Sequence, residues 1–333
     1  MSKTPTKSLP KGLLIAFAIL AVVVLFVVDL CVGPANIKLS NFSTVLDPDS
    51  VEHVAFFRMR MPAALMAVGV GMSLGLAGAV MQTILNNPLA SPFTLGVSSA
   101  ASLGAAIVFV MALPMVFVTG GALLLALVSV LIIFAVGKYI EMSNSSLVLA
   151  GIALNFLFDA FLSLIQYRAS EDSLSYIVFW TMGGLTRASY PQAWILLSTF
   201  VVVFAVLLRN AWNLTALKFG EARAEALGVR VGRVKILSLV LASILTALAV
   251  SFCGKIGFIG LAAPHLARRL VSEDQRFYLT SSAILGAMIL LVSSILSKLI
   301  VPGVVVPIGI ISSIIGIPFL VYALTSQRRQ RAV

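Results

Sequence analysis

The sequence predicts an all-α, polytopic membrane protein of about ten transmembrane helices, with both termini cytoplasmic. Three observations carry that expectation. Of 333 residues, 60% are hydrophobic and only 11% charged, and mean hydropathy is +1.09; soluble domains carry about 25% charged residues. The apolar residues run in long unbroken stretches rather than alternating, which favours helices over a barrel. The basic residues gather on one side of those stretches, as the positive-inside rule requires.

Windows of about 20 apolar residues place spans at 12–32, 61–84, 95–112, 115–137, 146–166, 192–209, 233–252, 256–271, 277–298 and 306–325. The first is too long for a signal-peptide core, and no small-residue cleavage site follows it, so it reads as an uncleaved helix. The second carries Gly71 and Gly75 at GxxxG spacing, with Gly78 one turn further on, a pattern that lets helices approach closely. The second and seventh lead into Pro-bearing polar breaks, NNPLASPF and GLAAPHLARR, a hint of internal duplication. The third and fourth are separated only by the Pro114 region, and the eighth is short and contains Pro264. Between spans, 33–60 and 167–191 form substantial outer segments, the second reading as a short amphipathic element. The whole chain, 1–333, is one transmembrane domain, interrupted by a cytoplasmic loop at about 210–232. With the N-terminus inside, inner segments hold 16 of the 23 Lys and Arg and outer segments hold 7.

The net charge of +11 sits at the ends of apolar spans. Topology and lipid head groups explain it, and no nucleic-acid partner is expected. Cys31 and Cys253 read as packed small hydrophobes. His53 and His265 are the only imidazoles, and no His/Cys cluster has ligand spacing, so no metal site is expected. There is no phosphate-binding GxxxxGK[ST], no Ser/His/Asp set and no paired carboxylate in a plausible cleft. The chain therefore reads as a non-enzyme that binds no cofactor and draws its energy from elsewhere.

Ionisable residues inside spans are functional candidates. Here they are Asp29, near the outer end of the first span, and Asp159 in the fifth. Asn155, Asp159 and Ser163 are four apart and share one helix face. Two readings stay open: the stripe lines a watery translocation path, or Asp159 makes one interhelix bond. A proton-coupled secondary transporter using Asp159 is the alternative of a different class.

Against this background FGEARAEALGVRVGRVK, 219–235, is a charged island. Its helix formers carry an acid in the first turn, which suits the helix dipole. It breaks at Gly228 and restarts around Val231. A short helix, a turn and a second helix on the inner face would lodge in a cleft of a soluble partner.

The chain resembles the FecCD-type permease family of ABC importers for iron–siderophore complexes, haem and vitamin B12. The matching stretches are RMPAALMAVGVGMSLGLAGAVMQTILNNPLASPFTLGVSSAASLGA (60–105), LVLAGIAL (147–154), FWTMGGL (179–185), GEARAEALGV (220–229), GKIGFIGLAAPHLARRL (254–270) and VPIGIISSIIGIPFLVYAL (306–324). The resemblance implies a ten-helix permease of the bacterial inner membrane that pairs with a second permease subunit, identical or not. Two cytoplasmic ATPase subunits would use ATP and Mg, and a periplasmic or lipid-anchored binding protein would deliver the cargo, with a ferric siderophore as the leading candidate. It implies ATPase coupling by Glu221, Ala224, Leu227 and Gly228, and a cytoplasmic gate at Ser143 and Asn144. It implies binding-protein docking at Arg60, with Arg58 assisting.

The departures fall at the outer end. A second Arg usual in the family is Ala63 here, GPIGF reads GKIGF with Lys255, AD…R reads SSILSK with Ser294 and Lys298, and ELPIG reads VVPIG with Val305. Lys255 and Lys298 are the candidates to restore the lost positive charge, although a point-charge Lys is not a forked Arg.

Overall fold

A computed structural model describes residues 10–34, 42–139, 144–271 and 273–318, and these contain helices and turns without a strand. In chain order the helices are α1 (Lys11–Cys31), α2 (Val51–Ile84), α3 (Val97–Val110), α4 (Val116–Tyr139), α5 (Asn144–Arg168), α6 (Glu171–Thr181), α7 (Tyr190–Arg209), α8 (Ala211–Lys218), α9 (Glu221–Ala226), α10 (Val231–Cys253), α11 (Ile259–Val271), α12 (Gln275–Leu299) and α13 (Ile308–Pro318). Seven of these, α1, α2, α4, α5, α7, α10 and α12, are long and apolar enough to cross a membrane.

The other three sequence windows fall on α3, α11 and α13. α3 has 14 residues and is preceded by a 3₁₀ turn, Pro92–Leu95. α11 has 13 residues, and Gly254 and Phe258 ahead of it adopt positive φ, 75° and 67°. Apolar composition runs through these breaks, so a hydropathy window does not see them. The two Pro-bearing breaks meet in space: a Cβ on Gly260 would stand 3.0 Å from Pro92.

α2 is the central helix. Within its most apolar window 83% of residues are buried, against 11% for α1 and 17% for α5. Close approach by glycine makes this possible. A Cβ on Gly71 would stand 2.5 Å from the Gly286 carbonyl oxygen of α12, one on Gly75 2.3 Å from that of Ser282, and one on Gly78 1.9 Å from that of Gly260. The GxxxG pattern thus packs α2 directly against the backbones of α12 and α11.

α2 also begins well before the window at 61. Ser50 caps it, accepting from His53 N–H at 3.0 Å, and a π-helical segment, Val54–Arg60, continues into the span. Charges at Arg58 and Arg60 depress hydropathy there without breaking the helix. The amphipathic element expected in 167–191 is α6, capped by Ser170 and burying Ile177 and Trp180.

Two ends of the bundle can be told apart. The Lys11 ammonium lies 5.3 Å from the Phe277 ring centroid, so the start of α1 shares one end with the start of α12 and with α8, which adjoins it. At the opposite end three loops bond backbone to backbone. Gly184 N–H donates to Cys253 at 2.8 Å, Ile308 N–H to Gly183 at 3.1 Å, and Gly309 N–H to Met182 at 3.1 Å.

Candidate coupling surface and opposite-end charge cluster

The charged island folds as α9, a turn at Gly228 and the start of α10. The turn is a Schellman motif. Val229 N–H reaches back to the Ala224 carbonyl at 3.0 Å and Gly228 N–H to that of Glu225 at 2.8 Å. Such a closure needs a left-handed residue, and Gly228 has φ 81°. Ala224 and Val229, the apolar pair that accompanies this motif, are both buried. Ala224 is thus a packing residue beneath the surface. Leu227 stays 62% exposed, an apolar side chain left uncovered among the described residues. Glu221 is anchored by Lys235, which is itself buried. Exposed Trp212 and Phe219 lie nearby, lining a cleft of about 460 Å³ with Lys218 and Glu273. Of the expected gate residues, Ser143 lies outside the described residues and Asn144 is the first residue of α5.

At the opposite end the four candidate docking residues do not behave alike. Arg58 is exposed. Arg60 is buried, and its guanidinium donates to the Leu30 and Cys31 carbonyls at 2.9 and 3.1 Å. It caps the C-terminal end of α1, where free carbonyls attract a cation. Lys298 reaches buried Asp29, with Nζ 2.8 Å from the carboxylate and donating to the Asp29 carbonyl at 2.9 Å. Lys255 pairs with Asp159 at 3.2 Å, across from α5. An apolar cavity of about 660 Å³ opens here, edged by Arg60, Arg187 and Lys298, with no carboxylate among its lining residues.

The polar stripe on α5 divides its work. Asn155 donates to the Phe93 carbonyl at 2.8 Å and accepts from Ser99 at 3.0 Å, tying α5 to the 3₁₀ turn and α3. Asp159, one turn on, takes the Lys255 ammonium. Ser163 bonds back to the Asp159 carbonyl at 2.8 Å. Asp159 thus has an ion-pair partner in the loop between α10 and α11, while its side chain stays half exposed. The pairings Asp159–Lys255 and Asp29–Lys298 were not legible in the sequence, although both lysines stand out there as departures.

The FecCD transport family profile matches residues 20–326. The chain belongs to the FecCD transport family. It is a multi-pass protein of the inner membrane. The hemin transport system permease protein of Yersinia pestis is 32% identical over 96% of this chain and 97% of its own. The vitamin B12 import system permease protein of Vibrio vulnificus is 34% identical over 94% and 93%. Among solved structures, an inward-facing conformation of a putative metal-chelate type ABC transporter matches with TM-score 0.84 and 27% identity, covering 95% of this chain and 99% of that one.

Proposed function

We propose that this chain is the permease subunit of an ABC importer, with about ten spans, both termini cytoplasmic, and a ferric siderophore as cargo. It pairs with a second permease subunit. Two cytoplasmic ATPase subunits hydrolyse ATP with Mg, and an external binding protein hands over the chelate.

The observation that carries this reading is Leu227, an exposed leucine held on a Schellman turn at the end that also bears the start of α1. An apolar knob on a rigid polar loop is what a cleft in a soluble partner would engage, and buried anchors dominate such contacts. Cargo chemistry is supported at the other end, where Arg60 and Arg187 edge a cavity with no carboxylate in its lining, which favours an anionic chelate. Vitamin B12 and haem are the alternatives within this reading. A proton-coupled carrier using Asp159, here paired with Lys255, is the alternative of a different class, and it would need more buried acids than this chain offers.

The test is to copurify the tagged chain from its source, identify its subunits, and reconstitute the complex in proteoliposomes. ATP-dependent uptake of a ⁵⁵Fe-labelled ferric siderophore, above uptake of cobalamin and haemin, is expected. Uptake driven by a proton gradient without ATP would overturn the reading.

A further inference from the structure

α8 is joined to the helix core by polar side chains that the sequence reading did not single out. Glu273, in the short connection between α11 and α12, receives two cations. Lys218 Nζ of α8 lies 3.6 Å from its Oε1, and Arg268 Nε of α11 lies 3.5 Å from the same oxygen. From there Arg268 turns inward. Its other nitrogen reaches the Tyr278 hydroxyl at 3.2 Å and Gln82 Oε1 at 3.4 Å, and the Tyr278 hydroxyl donates to Gln82 Oε1 at 3.2 Å. Gln82 ends α2, the central helix, and Tyr278 begins α12; both are buried. A parallel strand of contacts runs through Gln275, whose N–H donates to Thr215 of α8 at 3.3 Å and whose side chain accepts from Thr83 of α2 at 3.2 Å.

Two features separate this network from a plain tether. Gln82 Nε2 is a buried donor with no hydrogen-bond partner among the described residues. A buried donor left without a partner is destabilising. On the cationic side, opposing electrostatic effects meet at Lys218. Burial holds the Lys218 ammonium below the usual lysine pKa, Arg268 adds to that, and Glu273 opposes it.

We propose that Arg268 is the positioning residue that carries movement of the docked ATPase from α8 into the helix core, through Glu273 on one side and Gln82 and Tyr278 on the other. The proposal rests on the reading that an ATPase docks at α8 and α9. When α8 is displaced, Lys218 and Glu273 shift together, Arg268 follows Glu273, and the contacts to Gln82 and Tyr278 change on α2 and α12 at once. α2 contacts both α11 and α12 through glycine with no slack, so a shift at its end is transmitted along it rather than absorbed.

The test is hydrogen–deuterium exchange on the copurified complex in nanodiscs, with and without ATP and vanadate, for wild type, Glu273→Gln, Glu273→Asp and Arg268→Gln. Glu273 is itself exposed, and Glu273→Asp keeps the negative charge that faces Lys218 and Arg268. In wild type, nucleotide should change exchange at 211–230 and also at 76–90 and 275–290. In Glu273→Gln and Arg268→Gln the change at 211–230 should persist, while that at 76–90 and 275–290 shrinks by about fivefold or more, the scale of an allosteric coupling. Glu273→Asp should keep most of it. A wild-type-sized change at 76–90 in both Gln variants would overturn the proposal, as would a wild type that responds only at 211–230. A wild type that shows no response at 211–230, or brings no ATPase with it, would sink the docking reading and the relay together.

Discussion

At Gly228 the backbone has φ 81°, and no heavy atom lies within 4 Å of where a Cβ would stand. The residue is required for conformation and not for space. A side chain there carries the left-handed penalty of about 1–2 kcal/mol, concentrated on the last turn of α9. Leu227, beside it, contributes little to folding because it is largely exposed. The two substitutions therefore separate folding from docking. Leu227→Asp should leave the thermal midpoint of the purified chain unchanged and abolish ATPase copurification, since docking would then bury an unpaired charge at a cost of several kcal/mol. Gly228→Val should loosen α9 and weaken copurification without unfolding the bundle. Wild-type copurification in both would remove the island from the coupling mechanism. A second residue-scale expectation concerns Asp159. With Lys255 as its partner, Asp159→Asn should leave an ammonium facing a neutral amide, and the double change Asp159→Asn with Lys255→Gln should recover folded yield lost in the single. No recovery in the double would mean that the two side chains do not depend on each other.

At the scale of elements, α2 against α12 and α11 is the joint that the sequence made most legible. Gly71, Gly75 and Gly78 announce close packing, and each faces backbone that cannot move aside. Overpacking of this kind costs about 1–3 kcal/mol or more. Gly75→Ala should lower the midpoint in detergent, whereas Gly120→Ala, which meets nothing within 4 Å, should hold or raise it, because Ala exceeds Gly in helix propensity by about 1 kcal/mol. Equal effects would mean that the joint has slack. Other elements were legible for similar local reasons: Ser170 and Glu171 mark the start of α6, and Gly228 marks the end of α9. What stayed hidden was long-range or disguised. The start of α2 was missed because Arg58 and Arg60 look like a loop to a hydropathy average. The start of α11 was blurred because positive φ at Phe258 leaves no compositional trace. The pairings of Asp29 with Lys298 and of Asp159 with Lys255 join residues far apart in sequence, and spacing alone does not bring them together.

At the scale of the whole molecule, the two ends have different chemistry, and each has a distinct failure. The α8–α9 end has an apolar knob and a cleft but no phosphate-binding loop in the sequence. Purified alone, the chain should show no ATPase activity above background, and robust hydrolysis from a preparation free of other subunits would overturn the importer reading. The opposite end has four basic candidates, but three have partners within the chain. Arg60 caps α1, Lys298 holds Asp29 and Lys255 holds Asp159, whereas Arg58 projects from the π-helical segment. A binding protein carrying acidic residues would therefore meet Arg58 first, in solvent where ion pairs are weak and screened by salt. Arg58→Glu should weaken capture of the binding protein from its on-rate side, and the salt dependence of capture should flatten, because rim charges act chiefly through steering. Arg60→Glu should act differently. It places a carboxylate against the carbonyl end of α1 and beside Asp29, so folded yield should fall before docking can be measured. If Arg60→Glu folds normally and loses docking while Arg58→Glu docks as wild type, then the guanidinium of Arg60 leaves α1 when the partner arrives. The capping seen here would then be the resting state of a docking residue.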